Sequence, residues 1–537
     1  MKHGWARIVA LLAVCGWMPG SGIGQSNPAT YDVAVIGAGG GGLAAAARLA
    51  KAGKKVLVLE QHSKVGGYMT SFQRGDYTFE VSLHAMDGLD DPGGMNRAAF
   101  RALGILDKVK PIKLDPMYRS VYPDFTLDIP ADAAAYQALL KEKFPSEAKG
   151  IDELFENQRT INRAMQALIG LTGDERGQSL STILFHPWIF WPIIKYWNAT
   201  LSDMLDDFIH DPKLIAVFTQ LSGFAGAEPK QVSAIFFSVL WNSYHLGGFY
   251  YFVGGSQSVS NALAEVIQEN GGEIKLNTLV TKIVIEEKKA VAVQTQDGSE
   301  YRCRFVVSNA NAPATFFTLI GREHLPPEYV QKIENLKIGL SAFVVYLGVN
   351  HDYRELFHGS HELMVNVSYD QAESFALSTK GEPDKIPYAI VNYSAADPAA
   401  APPGKNVIGM TAILPYDWQD GWHEKESYAQ YKALKEEVAR TLIQRAEAFL
   451  PDLSSHIEVM EVGSPRTMEH YTLNPKGTIF GWDNTPEQSM MNRLPQETPI
   501  ENLYLAGAWT FPGGGQSAVL SSGLMAAQKI LAKDKEN

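Results

Sequence analysis

The chain has 537 residues, of which 45% are hydrophobic and 20% are charged, and this composition excludes a mainly disordered protein. The formal net charge of -12 argues against a broad nucleic-acid-binding surface. Two cysteines, Cys15 and Cys303, are too few for a disulfide framework or a cysteine-rich metal site. We therefore expect a large enzyme that uses neither a metal nor a nucleic acid.

The first 24 residues have the pattern of a secretory signal peptide. Lys2 and Arg7 precede an apolar run over residues 8–18, and small residues follow as far as Gly24. The run is shorter than the ~20 residues that a membrane-spanning helix needs, although an uncleaved anchor stays an alternative. We expect an exported protein, located in the periplasm, outside the cell or in the ER lumen.

A glycine-rich motif follows at the point where a strand is expected to lead into a helix. The apolar run at residues 31–36 predicts a buried parallel strand, and residues 43–52 predict a helix. Between them lies Gly-x-Gly-x-x-Gly. In this motif Gly37 permits the tight turn, Gly39 lets the backbone approach a pyrophosphate, and Gly42 allows close packing of helix on strand.

The continuation of this segment indicates which dinucleotide is bound. A second buried strand at residues 55–59 ends at Glu60, which is placed to accept hydrogen bonds from ribose hydroxyls. Gly66 and Gly67 follow closely, where a nicotinamide dehydrogenase would continue into a regular βαβ unit. Residues 77–84 instead predict a strand that leads towards a flavin ring. FAD is favoured over NAD.

The other end of the chain carries a matching pattern. Residues 503–507 predict a buried strand that ends at Gly507, and the glycine-rich loop at 512–516 opens a helix over residues 517–531. A glycine loop that leads into a helix amino terminus is an anion-binding arrangement. In a flavoprotein it would stabilise the negative charge that develops on the flavin during hydride transfer.

These motifs resemble the phytoene-desaturase-like flavoproteins, and most closely their branch of retinol saturases and carotenoid isomerases. The resemblance is carried by residues 32–67, 244–256, 306–310 and 503–527. It implies an α/β fold in which an FAD-binding, Rossmann-like domain of the two-dinucleotide-binding-domain class is intertwined with an α+β substrate domain. Two features depart from the family pattern: Ala508 stands where many relatives carry an acid, and the sequence around His84 differs.

The resemblance and the motifs together give a set of expected FAD contacts, in which the resemblance places the main chain of Val280 against the adenine. The expected cofactor-binding residues are Gly37, Gly39, Gly42, Glu60, Gly66, Gly67, Val280, Gly507, Gly514, Ser517 and Ala518.

The chain divides into segments that alternate between cofactor and substrate. After the signal peptide (1–24), we expect FAD-binding segments at 30–149, 251–320 and 481–537, a helical substrate-facing or membrane-facing segment at 150–250, and a substrate domain at 321–480. Within them we expect an antiparallel meander of strands at 273–286, 290–296 and 301–307. Further strands are expected near 340–349, 387–394 and 406–413, with a helix at 425–450.

Residues 180–197 form an aromatic stretch that is almost free of charge. Pro187 and Pro192 interrupt any regular spanning helix, and tryptophan and tyrosine side chains are typical of membrane interfaces. We interpret this stretch as a membrane-dipping or tunnel-mouth segment that admits a lipid-soluble substrate. A packed core or a contact between subunits is the alternative.

The catalytic residues are not identified by any motif. His84 and His245 are candidates because each lies near a cofactor-associated segment, and Trp509 is a third. A structural role for each histidine is the alternative. We expect an FAD-dependent oxidoreductase that saturates, desaturates or isomerises a long apolar polyene. With one dinucleotide fingerprint, an external electron donor or acceptor is needed. The alternatives are a flavin amine oxidase, in which Trp509 would contribute to an aromatic cage, and a non-catalytic, flavin-containing lipid-binding protein.

Overall fold

The computed structural model describes residues 31–89, 95–170 and 176–536, and two large β-sheets organise this part of the chain. The predicted signal peptide at residues 1–24 lies outside the described residues. The strands are β1 Tyr31–Ile36, β2 Val56–Leu59, β3 Ser71–Arg74, β4 Tyr77–Glu80, β5 Met86–Asp87, β6 Pro111–Lys113, β7 Tyr118–Val121, β8 Thr126–Ile129, β9 Phe249–Phe252, β10 Glu273–Lys275, β11 Val280–Glu286, β12 Lys289–Thr295, β13 Glu300–Ser308, β14 Ala342–Val349, β15 Glu362–Val365, β16 Tyr388–Asn392, β17 Asn406–Ile413, β18 Ile457–Gly463 and β19 Leu503–Leu505.

Helices occupy most of the region between β8 and β9, as the sequence predicts for residues 150–250, and they flank both sheets. They are α1 Gly40–Lys51, α2 Met95–Leu103, α3 Ala133–Lys143, α4 Ala148–Gly170, α5 Arg176–Phe185, α6 Trp191–Tyr196, α7 Leu201–Leu205, α8 Pro212–Phe218, α9 Ser222–Ala225, α10 Ala234–Gly247, α11 Gly255–Glu269, α12 Pro327–Asn335, α13 Gln371–Lys380, α14 Tyr393–Ala396, α15 Trp418–Trp422, α16 Tyr428–Ala446, α17 Pro465–Thr472 and α18 Gln516–Glu536.

The first sheet contains the parallel strands of the dinucleotide-binding domain. Its parallel part has the order β10-β2-β1-β13-β19, and β12 and β11 branch from β13 in antiparallel pairing. In β1, Val33 and Val35 pack towards α1, whereas Ala34 and Ile36 pack on the opposite face. Because both faces are covered, the strand is apolar at nearly every position, which is the pattern expected of a buried parallel strand.

The second sheet forms the wall of the substrate domain. Its order is β18-β14-β17-β16-β15-β7-β8, and all neighbours are antiparallel except β15 and β7. The expected strands near 340–349, 387–394 and 406–413 correspond to β14, β16 and β17. Together the two sheets confirm the predicted α/β fold with an intertwined α+β domain.

Three local predictions differ from the structure because strand partners come from distant parts of the chain. The expected strand at 273–286 is divided into β10, which joins the parallel sheet, and β11, which pairs with β12; Asn277 between them has a positive φ of 52°. The expected strand at 77–84 ends at Glu80 as part of a hairpin with β3. The β7–β8 pair lies within the predicted 30–149 cofactor segment but joins the second sheet.

In the part of the chain that the structure describes, no helix is long and apolar enough to cross a membrane.

The two ends of the described chain meet where α18 packs on α1. The closest approach is at Gly523, where a Cβ atom would lie 2.1 Å from the carbonyl oxygen of Gly41 and 2.8 Å from the Cβ of Ala44. No side chain fits in this space, because heavy atoms do not approach so closely without moving the main chain. A glycine in α18 therefore fixes the position of the helix that begins at the glycine-rich loop.

We expect Gly523→Val to separate α18 from α1 and to destabilise the protein by about 3 kcal/mol, because the new methyl groups overlap the main chain of α1. Thermal unfolding of the purified variant measures the effect. Ala532→Val introduces the same side chain at an exposed position of the same helix and should change the melting temperature little. Equal melting temperatures for the two variants would contradict this account of the packing.

Candidate functional site: a glycine-lined cavity between the two sheets

The glycine-rich loop between β1 and α1 is shaped to bring main-chain N–H groups together. Gly37 has a φ of 87°, which allows the turn at the end of β1. Gly39 is the N-cap of α1, and no side chain caps this helix. The first N–H groups of α1 are thus available to an anion, and the positive end of the helix dipole favours one. A Cβ at Gly42 would lie 2.1 Å from the carbonyl oxygen of Gly37, which explains the third glycine by packing.

Asn309, which was not predicted as a site residue, packs against this loop. Its side chain follows the carboxyl end of β13, and a Cβ at Gly39 would lie 2.7 Å from its Nδ2 atom. A Cβ at Gly507 would lie 2.5 Å from its Oδ1 atom. The sequence held two signals for it: its place directly after a buried parallel strand, where ligands of open α/β sheets bind, and its place in the segment 306–310 that carries the family resemblance.

Glu60 lies at the end of β2 and lines the cavity described below. One of its carboxylate oxygens accepts from the main-chain N–H of Ala38 at 2.7 Å, and the other accepts from that of His62 at 2.8 Å. Burial raises the pKa of Glu60, although these two main-chain donors oppose the rise. Each oxygen retains a second lone pair, so the carboxylate can also accept from a ribose hydroxyl.

Gly66 and Gly67 lie directly against the first glycine loop. The N–H of Gly66 donates to the carbonyl of Ala38 at 2.8 Å, and Gly66 forms a parallel bridge with Gly39. Both glycines line the same cavity as Gly37 and Gly39. The structure therefore brings the two amino-terminal glycine groups together, as their sequence spacing predicts.

The carboxyl-terminal loop closes the cavity from the other side. Gly507 and Gly514 line it, together with Val280 from β11. Ser517 and Ala518 lie on the first turn of α18, outside the described lining; the hydroxyl of Ser517 donates to the buried carboxylate of Asp87. Gly514, Gly515 and Gln516 line the cavity in place of these two residues.

Arg493 holds this loop in place, and no sequence motif predicts this role. Its side chain is 2% exposed, and its guanidinium donates to the main-chain oxygens of Trp482 at 2.9 Å and Ala508 at 3.0 Å, and to Asn484 Oδ1 at 2.9 Å. Burial lowers the pKa of Arg493 to about 10. Carbonyl dipoles partly neutralise the guanidinium charge. The guanidinium ties Ala508, which follows β19, to the segment that contains Trp482 and Asn484.

The glycine loops, Glu60, Val280 and Asn309 line one cavity of about 710 Å³, within the range of known ligand sites. Beyond the glycine loops its wall is mainly apolar and is built from both domains. The apolar wall contains Leu83, Phe224, Leu240, Val344, Met364 and Ile413. The ionisable groups among the described lining residues, tyrosines apart, are Glu60, His84 and Glu362.

The three catalytic candidates have different positions. His84 and Trp509 line the cavity, and the indole N–H of Trp509 donates to Asn474 Oδ1 at 3.2 Å. His245 is placed away from it: the imidazole is stacked between Tyr136 and Trp241, with ring centroids 4.6 and 4.3 Å away, and burial lowers its pKa to about 3. This core position corresponds to the structural alternative for His245.

The residues present fit FAD. The uncapped amino terminus of α1 can hold the pyrophosphate, Glu60 a ribose, and the main chain of Gly514 and Gly515 the flavin. The glycines leave space that side chains would fill. Among the described residues, no group of three or more histidine, cysteine or acidic side chains could hold a metal ion.

We expect Gly39→Val to abolish FAD retention, because the side chain would overlap Asn309 and the space for the pyrophosphate. The flavin absorbance per protein in the purified variant measures this. Ala52→Val, at the exposed carboxyl end of α1, should retain FAD. Full retention of FAD by Gly39→Val would contradict the assignment of this loop.

Comparisons with known proteins identify similar sequences of related function. The chain is 29% identical to a chloroplastic prolycopene isomerase from Daucus carota over 95% of this chain and 81% of that protein. It is 26% identical to an all-trans-retinol 13,14-reductase from Danio rerio (89% and 82%). It is 27% identical to a 4,4'-diapophytoene desaturase from Methylomonas sp (94% and 96%). The resemblance to phytoene-desaturase-like FAD oxidoreductases is confirmed.

Solved structures show the same fold at low sequence identity. Wild-type putrescine oxidase bound to putrescine superposes with a TM-score of 0.61 at 16% identity, over 94% of this chain and 99% of that one. The family of flavin containing amine oxidoreductases matches residues 41–531. FAD is confirmed as the cofactor. This FAD-dependent oxidoreductase therefore belongs to the family of flavin containing amine oxidoreductases.

Proposed function

We propose that this enzyme acts on the carbon–carbon double bonds of a long, apolar polyene of the carotenoid or retinoid kind, by saturation, desaturation or cis–trans isomerisation. The observation that carries the proposal is the single cavity that joins the glycine loops to an apolar wall. Similarity to a prolycopene isomerase, a retinol reductase and a diapophytoene desaturase supports the same substrate class.

The protein's part in this reaction is to bind and orient the substrate and to exclude water. FAD, when bound, supplies a hydride donor or acceptor. The wall formed by Leu83, Phe224, Leu240 and strands of the second sheet is mainly apolar and therefore favours a polyene. A substrate held at one position along such a wall reacts at one bond. The reducing or oxidising equivalents come from an external partner.

The amine oxidase alternative is less well supported by the cavity. A cationic amine requires a carboxylate or an aromatic cage. Glu60 accepts two main-chain hydrogen bonds at the nucleotide end, and Glu362 is paired with His84. Trp482 packs edge-on against Trp509, with centroids 4.7 Å apart, but it is not among the described lining residues. The aromatic ring that packs on Trp509 therefore does not itself face the cavity.

We expect a polyene to reoxidise the photoreduced enzyme under anaerobic conditions, to be isomerised by it, or to bleach the flavin of the oxidised enzyme. A primary amine should not bleach the flavin of the oxidised enzyme. Stopped-flow absorbance and chromatography of the polyene measure these outcomes. Leu240→Gln should reduce the polyene reaction and retain FAD, since Leu240 lines the apolar wall. Leu356→Gln, at a position 40% exposed, is the matched control.

Bleaching by an amine would contradict the proposed substrate class and favour the amine oxidase. Absence of any reaction with polyenes, in a protein that binds them, would favour a flavin-containing lipid-binding protein.

Residues 180–197 support a further part of the proposal, peripheral contact with a membrane. Their large apolar side chains are exposed instead of packed in a core, with Leu184 73%, Phe185 70%, Trp188 64%, Trp191 63% and Ile194 67% exposed. Ile189, Ile193 and Tyr196 are buried and anchor the segment. None of the described residues of this segment lines the cavity, so the tunnel-mouth interpretation lacks support.

Export through residues 1–24 is proposed on the sequence pattern alone.

We expect the wild type to float with phosphatidylcholine vesicles and Trp188→Ser/Trp191→Ser to lose most of this binding, because tryptophan side chains favour the membrane interface. Tyr428→Ser/Met491→Ser removes two side chains that are 77% and 71% exposed elsewhere and should bind as the wild type does. Equal flotation of both double variants would contradict this contact.

A further inference from the structure

A buried histidine–glutamate pair forms part of the cavity wall. The Nδ1 atom of His84 lies 2.7 Å from Oε1 of Glu362. The side chain of Glu362 is fully buried and that of His84 is 14% exposed, and both residues line the cavity. The second carboxylate oxygen of Glu362 is buried and has no hydrogen-bond partner, which is a costly arrangement without a functional reason.

Glu362, the first residue of β15, and His361 directly before it both contact His84. Glu362 contacts its side chain, and the Nε2 atom of His361 lies 2.8 Å from its main-chain oxygen. The hydroxyl of Tyr244 donates to the main-chain oxygen of Ala85 at 3.3 Å, and the ring of Phe224 packs edge-on against the imidazole at 5.8 Å. His84 is therefore fixed in orientation. Since Nδ1 faces Glu362, Nε2 lies on the opposite edge of the ring.

The same segment is tied to the end of the cavity that receives the flavin. The side-chain amide of Gln516, the first residue of α18, lies 3.5 Å from the hydroxyl of Ser82. Ser82 in turn donates to the main-chain oxygen of Tyr68 at 2.8 Å, one residue after Gly67. His84 thus lies near the meeting point of the glycine loops and the apolar wall.

The charges around His84 favour a proton on the pair. Among the described residues, His84 is the ion-pair partner of Glu362, and an isolated carboxylate in such a buried place would be strongly unfavourable. Burial lowers the pKa of His84, but the charge and hydrogen bond of Glu362, with a contribution from Glu80, raise it overall. Glu80 is held by the N–H and hydroxyl of Ser256. Burial lowers the pKa of His361, so that residue adds little positive charge.

We infer that His84 is the proton-transfer residue of the proposed reaction and that Glu362 is the positioning residue that orients and charges it. The inference rests on the proposed function. FAD, when bound in its reduced form, would supply a hydride, whose electron pair forms one new C–H bond when a double bond is saturated. The electron pair of the broken π bond takes a proton from His84 and forms the other C–H bond, and His84 is then reprotonated from solvent. In desaturation, neutral His84 accepts a proton from one carbon, the electron pair of that C–H bond forms the π bond, and the hydride from the neighbouring carbon would go to oxidised FAD.

The titration of His84 tests the positioning role without any turnover. In histidine-labelled protein, the NMR signal that His84→Gln removes should titrate above the ordinary value of about 6.5, and Glu362→Gln should lower this midpoint, because the neutral amide no longer favours the imidazolium. Glu426→Gln removes the partner of the surface residue His423, 3.0 Å away, and should leave His84 unchanged. A His84 midpoint that does not move in Glu362→Gln would overturn the inference.

Turnover tests the proton-transfer role. We expect His84→Gln to retain FAD and polyene binding while losing at least ~100-fold in rate. Glu362→Gln should shift the pH profile of kcat, and Glu362→Asp should restore part of the rate. If the wild type acts on a polyene and His84→Gln acts equally fast, the inference alone is wrong. If the wild type binds FAD but acts on no polyene, both the proposed function and the catalytic role of His84 are wrong.

Discussion

Close approach of main chains at the amino terminus of α1 is the contact on which the rest of the structure depends. Gly41 in this helix has the main chain of Gly507 on one side, where a Cβ would lie 2.5 Å from the Gly507 nitrogen, and Gly523 on the other. Three segments from opposite ends of the chain therefore meet without side chains between them. The cofactor site exists only when the whole chain has folded, because none of these segments forms the cavity alone.

The second sheet gives this cofactor site its chemical environment. It faces the glycine loops with strands whose lining side chains are mainly apolar, and it brings Glu362 to His84 from a distant part of the chain. In a cavity of low polarity an ion pair interacts more strongly than it does in water, and an unpaired charge costs more. The placement of one ionisable pair in an otherwise apolar wall is thus the feature that distinguishes a reacting position from a simple lipid-binding pocket.

The sequence predicted the parts of the structure that depend on local signals. The strand at 31–36, the glycine loop and the stop at Glu60 follow from apolar runs and glycine spacing, and they lie where expected. The division of residues 273–286 into β10 and β11 was missed, because each strand is defined by a partner far away in sequence. Asn309, Arg493 and Glu362 were missed for the same reason: their roles depend on tertiary contacts. His245 was selected by sequence proximity, but aromatic stacking places it in the core.

The central claim is that FAD and an apolar polyene share one cavity. Its most direct test is extraction of the purified protein, with separation and mass spectrometry of everything that is released. The account predicts about one FAD per chain together with a co-purifying apolar polyene or lipid, and loss of the apolar compound in a variant with a polar cavity wall. Protein that folds normally but releases no flavin, or that releases a nicotinamide dinucleotide in its place, would contradict it.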